Sequence, residues 1–261
     1  MKHLRRILAW LADFPGLFLR VWREIHAESL AETRPGVDLR APIVLATVAV
    51  SLAIQEFIGE RGFFFRRFAT SELAGTHYFE LASYAWWSGW RVIGYVGIPL
   101  LVIPFLGIPL KDFYVSPRGF LKHLPLYGIL FLLVVPLVYL MSRTADFQRI
   151  YPFYKLAKRS RFDFWAWEGL YAIQFLALEF FFRGFILRAL RPIVGVHAIW
   201  IMIVPYCMIH FGKTLVESLG AIVAGIVLGT IAMRTKSIWG GIVIHVGVAL
   251  TMDLLCVRYL R

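Results

Sequence analysis

Charge is scarce in this chain, and so is cysteine. Of 261 residues only 17% are charged, while 59% are hydrophobic, and mean hydropathy is +0.70. A soluble domain carries about 25% charged residues, so this chain has too little polar surface to cover a water-soluble globule of its size. The two cysteines, Cys207 and Cys256, both lie in apolar runs, which argues against a disulfide framework. Cys207 reads as a small buried hydrophobe. No alternating pattern marks barrel strands, and no basic, aromatic-interleaved nucleic-acid motif occurs. The basic start does not read as a signal peptide. Asp13 and Pro15 interrupt its apolar core, and no small-residue cleavage site follows.

What the chain does have is a series of apolar runs near the ~18–20 residues needed to cross a bilayer. About seven are drawn, over 41–58, 84–106, 124–141, 165–187, 193–211, 219–233 and 238–257. Lipid leaves no partner for exposed backbone, so these are helices, and the expected fold class is an all-α, multi-pass transmembrane bundle. The net charge of +12 comes from Lys and Arg flanking the runs, which fits anionic lipid headgroups better than nucleic acid. They divide almost evenly between the two sides, and the basic N-terminus favours a cytoplasmic start. The first 25 residues read as an interfacial amphipathic helix, with Arg5, Arg6, Arg20 and Arg23 opposite an aromatic and Leu face. Residues 26–40, polar and containing Pro35-Gly36, read as a loop. The chain thus divides into a basic segment (1–40), N-terminal membrane helices (41–164) and core helices (165–261), in one membrane domain. In the sixth run Gly225 and Gly229 form a small-xxx-small pair, which reads as close helix packing.

Ionisable residues interrupt the later runs, and at bilayer depth such groups are costly and by default functional. Glu179 and Arg183 are four residues apart on one helix face, with the acid first. The guanidinium favours the charged carboxylate and can bridge two oxygens; a purely structural ion pair is the alternative. His210 closes the fifth run, with Tyr206 one turn before it; His245 sits within the seventh, with Asp253 two turns further on the same face. Glu217 follows His210 with Lys213 between them, and reads either as a member of that face or as an interfacial salt bridge at a helix end. Together these groups suit water activation: a carboxylate to take a proton from water, one imidazole to orient it or protonate a leaving amine, another to donate to an oxyanion. One Glu and two His (Glu179, His210, His245) also match a catalytic zinc ligand set. No local H-E-x-x-H motif supports a metal, so none is expected as a cofactor.

At these residues the chain resembles the CPBP family: the CAAX prenyl proteases and bacteriocin-processing enzymes, also called the Abi family. That family carries Glu-Glu-x-x-x-Arg, Phe-x-x-x-His and His-x-x-x-Asn/Ser on successive helices. This chain has Leu178-Glu179-Phe-Phe-Phe-Arg183, Tyr206-Cys-Met-Ile-His210 and His245-Val-Gly-Val-Ala249. The resemblance runs from about Trp165 onward. It implies a glutamate-type intramembrane endopeptidase without an obligatory metal, acting on a membrane-associated peptide or protein in a bacterial-type cytoplasmic membrane. By the same resemblance Glu179 is the base or water-positioner, His210 its partner, His245 the oxyanion donor and Arg183 the orienting charge. Tyr206, Glu217 and Asp253 are possible supporting residues. Two positions depart from the pattern: Leu178 stands where the first Glu would be, and Ala249 where the Asn would be. A non-catalytic peptide-binding or immunity scaffold is therefore the alternative, and a small transporter built on the same buried charges the next.

Overall fold

Hydrocarbon offers no hydrogen bonds to the backbone, so each crossing segment must satisfy its own amides within a helix. A computed structural model of the chain describes residues 2–31 and 38–259, and among these there is no strand. Pro35-Gly36 lie outside the described residues. In chain order the helices are α1 (Lys2–Leu30), α2 (Arg40–Phe57), α3 (Arg61–Phe68), α4 (Phe79–Val92), α5 (Ile98–Leu106), α6 (Arg118–Lys122), α7 (Leu124–Met141), α8 (Ala145–Ile150), α9 (Arg161–Glu179), α10 (Leu187–Val194), α11 (Ala198–Met208), α12 (Leu215–Thr235) and α13 (Trp239–Cys256). The protein is an all-α, multi-pass helical bundle.

Six runs among the described residues are long and apolar enough to cross a membrane: Arg40–Phe57, Phe79–Leu106, Leu124–Met141, Arg161–Met208, Leu215–Thr235 and Trp239–Tyr259. The sequence divides the 48-residue run into two segments, and the chain turns within it at Gly195. There φ is +60° and ψ −137°, a backbone conformation that side-chain-bearing residues avoid. The return leg, α11, has only 11 helical residues, because the chain leaves the helix at Ile209.

Two spans carry a widened, π-helical stretch that apolar periodicity does not announce: Ile93–Gly97 joins α4 to α5, and Phe180–Ile186 joins α9 to α10. They lie against each other, with the Tyr95 ring 5.0 Å from Phe181 and 5.8 Å from Phe182. Such bulges recur at functional sites, and this one begins directly after Glu179.

Two boundaries differ from expectation for identifiable reasons. Helix α9 starts at Arg161, ahead of the expected 165, because Ser160 caps it: its hydroxyl accepts from the Asp163 amide at 3.0 Å. Helix α1 continues to Leu30, into residues expected as loop, because its last turns dock on the bundle. Ile25 is fully buried, Trp22 Nε1 donates to Thr230 Oγ1 at 3.0 Å, and Arg191 Nε donates to Ser29 Oγ at 2.9 Å. Helix α1 thus lies at the end of the bundle where α10 stops and α12 finishes. The α11–α12 connection and the C-terminal end of α2 mark the opposite end.

The main core draws on every part of the chain: Ile25, Val44, Tyr95 and Phe113 pack with Phe181, Phe185 and Met202. Helix α12 lies closely against α11, with Gly225 facing Ile203 and Tyr206. By contrast α7 keeps most of its apolar surface outward, including Leu132 and Leu133, as a lipid-facing span would.

Candidate active site

Glu179 ends α9 and is 1% exposed; Arg183, one turn later in the widened stretch, is 0% exposed. One Arg183 Nη lies 3.1 Å from Glu179 Oε1. The same oxygen is 2.8 Å from His245 Nδ1 on α13. That Nδ1 also reaches the Gly241 carbonyl at 3.1 Å. Facing two acceptors, Nδ1 holds the imidazole proton, so Nε2 accepts from the Tyr206 hydroxyl at 2.9 Å. The Arg183 guanidinium carbon lies 4.1 Å from the Tyr206 ring centroid, within cation–π range. Three helices thus meet in one buried chain of contacts, Arg183–Glu179–His245–Tyr206. It is incompletely satisfied: Glu179 Oε2 and Arg183 Nε find no hydrogen-bond partner among the described residues.

The approach of α9 to α13 depends on Gly241. A Cβ built there would overlap the Glu179 carboxyl. Gly241 lies one turn before His245 on the same face, so the Gly240-Gly241 doublet was a readable signal. It is the residue here that the site reading lacked.

His210 follows α11 in the turn toward α12. Its Nδ1 donates to the Tyr206 carbonyl at 2.8 Å, and its ring centroid is 5.0 Å from that of Tyr206. Since a carbonyl only accepts, Nδ1 carries the proton and Nε2 presents a lone pair. Burial, aided by the nearby Lys213 charge, pushes the His210 imidazole down to about 3, so it is neutral at physiological pH. Unfolded, a histidine titrates near 6.5. Between about 6.5 and 3 only the unfolded chain takes up that proton, so stability falls as pH falls through this window. At pH 5 the expected loss from this group is about 2 kcal/mol. His210→Gln is therefore expected to flatten the pH dependence of the thermal midpoint between pH 7 and 5; an unchanged slope would contradict this assignment.

A cavity of about 780 Å³ opens at the bundle end away from α1. His210, Leu178, Phe175, Gln174, Arg91 and Lys213 contribute to its wall, whereas Glu179, Arg183 and His245 are not among its lining residues. The Phe175 ring lies parallel to the His245 imidazole at 5.4 Å. Leu178 therefore occupies the cavity-facing position of α9, and the carboxylate stands one residue behind it.

Residues 160–251 match the family model described as Type II CAAX prenyl endopeptidase Rce1-like. The match covers the part of the chain that bears the buried cluster and leaves the N-terminal helices outside it. No curated protein and no solved structure matches it significantly. The matched residues open at the cap of α9 and extend into α13, so Glu179, Arg183, Tyr206, His210 and His245 all fall inside the match. This agrees with the resemblance to CAAX proteases read from the motifs.

Two further candidates stand apart from this cluster. Asp253, past the Rce1-like match, is 0% exposed and accepts from Trp167 Nε1 at 2.6 Å. It also pairs with the buried Glu168 carboxyl on α9, which spacing along the sequence does not link to Asp253. Glu217 sits in the first turn of α12, because the chain is not helical between Ile209 and Thr214. Its amide is capped by Thr214, its Oε1 accepts from Tyr151 at 2.5 Å, and Lys213 Nζ is 3.8 Å away. Glu179 and His245 meet while His210 is joined to them only through Tyr206. Among the described residues no three His, Cys, Asp or Glu side chains converge as metal ligands would. As placed, Glu179, His210 and His245 do not form a zinc donor set.

Proposed function

We propose that this chain is an intramembrane endopeptidase that hydrolyses a membrane-associated peptide or protein, in a bacterial-type cytoplasmic membrane. The observation that carries the reading is the buried contact of the Glu179 carboxylate with His245 at 2.8 Å, continued through Tyr206 to the element bearing His210. In this reading His210 Nε2, the free lone pair at the cavity, holds the attacking water and accepts its proton. The hydroxide oxygen bonds to the scissile carbonyl carbon, and the C–N bond then breaks as the imidazolium returns the proton to the departing amine. Glu179 is a positioning residue: it fixes the His245 tautomer, and Tyr206, anchored by His245 and Arg183, holds the His210 ring in place. Arg183 pairs with the carboxylate and orients it.

The test is mass spectrometry of membrane peptides from cells carrying the wild-type chain or Glu179→Gln, His210→Ala and His245→Ala variants. Each variant is expected to reduce product release about a hundredfold or more. Wild-type levels of product in a stably folded variant would remove that residue from the mechanism. The scaffold reading has one observation in its favour, since Leu178 rather than a carboxylate faces the cavity. Peptide capture by the wild-type chain with no product ladder at all would select it.

A further inference from the structure

The cavity holds more charge than the hydrolytic reading uses. Lys213 and Arg91 both contribute to its wall. Arg91 is already shared: it donates to Gln55 Oε1 at 3.1 Å, to the Tyr95 hydroxyl at 3.4 Å and to Glu60 Oε1 at 3.4 Å. Lys213 is not so held. Among the described residues its ion contact is Glu217 at 3.8 Å, beyond hydrogen-bond reach, and that oxygen already accepts from Tyr151. The Lys213 ammonium stands 5.7 Å from the Tyr151 and Phe153 rings, which weakly offset its desolvation. A tight turn, in which the Lys213 amide donates to the His210 carbonyl at 2.9 Å, fixes it beside the imidazole. Burial lowers its tendency to hold a proton and Glu217 opposes this. A half-buried, under-partnered ammonium facing a cavity gains from an anion that completes its hydrogen bonds.

Along α4 and α9 the wall is largely apolar. Trp87, Phe175 and Leu178 line it together with Tyr171, and about 780 Å³ lies within the range that encloses a small ligand. Two carboxylates also line the cavity, Glu56 in the last turn of α2 and Glu60 at the cap of α3. Glu60 is tied to Arg91, and the charges felt by Lys213 are those of Glu217, Asp253 and Arg91. The polar end of a ligand therefore belongs on the Lys213 side and its apolar part along α9.

We propose that the cavity is a binding site for an anionic amphiphile, with Lys213 as the principal ligand of a carboxylate or phosphate group and Arg91 as its second. It rests on the proposed active site only in sharing His210 and Leu178 as walls, and it requires no hydrolysis.

The test uses the full chain in neutral maltoside micelles, with octanoate, octyl phosphate, octanol and octyltrimethylammonium as probes. The thermal midpoint is followed as each probe is titrated. Octanoate, octyl phosphate or both are expected to raise it, the stronger one identifying carboxylate or phosphate as the preferred head; octanol and the cation are not. Lys213→Gln is expected to weaken the anion response about tenfold or more, Lys213→Arg to keep most of it, and the exposed-site control Arg149→Gln to leave it intact. Equal shifts from octanol, an anion response surviving in Lys213→Gln, or no response to either anion would each overturn the proposal. Because binding alone is read, failure of the peptidase reading leaves this result standing, and the reverse also holds.

Discussion

Arg183→Met is expected to cost the fold about 3–5 kcal/mol, because it leaves the buried Glu179 carboxyl without its guanidinium partner. The carboxylate is 1% exposed, and its remaining polar neighbour is His245. The double variant Glu179→Gln/Arg183→Met is expected to recover most of that loss, since a buried pair replaced as a unit is often neutral in stability. Arg183→Lys should fall between: it keeps the charge and loses the planar contact over Tyr206. Thermal unfolding of the purified protein in detergent measures all three. A single variant as stable as wild type would mean that the pair contributes nothing to the fold. If the double variant folds and releases no peptide product, the pair serves catalysis and not only its own burial.

Gly241→Ala is the second large effect. The added methyl would overlap the Glu179 carboxyl on the facing helix, so either the helices separate or the carboxylate swings away from His245. Overpacking of this kind costs about 1–3 kcal/mol, and the displaced carboxylate should abolish product release even where the protein still folds. Gly220→Ala on α12 is the control. Nothing lies within 4 Å of its built Cβ, so it should be neutral or stabilising by up to about 1 kcal/mol from helix propensity. A Gly241→Ala protein with wild-type midpoint and activity would contradict the close approach described here.

The bundle was legible because its cause is composition. Runs such as 124–141 are apolar all round, and lipid leaves such a run no alternative to a helix. Glu179, Arg183, His210 and His245 were legible for the complementary reason, as charged or imidazole groups where charge is costly. Which of them meet was not. The widened stretch after Glu179 has no Pro or periodicity break to announce it, and it alters the angle between Glu179 and the residues after it. The link through Tyr206 joins a side chain and a main-chain carbonyl of one residue to two different histidines, which spacing along a helix does not encode. Glu217 could be grouped with His210 and Lys213 only on a continuous helix, and the chain turns at residues 209–214. The cavity was invisible for a simpler reason: its walls come from α2, α4, α9 and the 209–213 turn, far apart in sequence.

Helix α1 docks at one end of the bundle and the cavity opens at the other, with α12 running the distance between them. The cavity mouth and the docked end of α1 are therefore separated by the length of α12. Any influence of that helix on the cavity must pass along the packed helices themselves, α12 first among them.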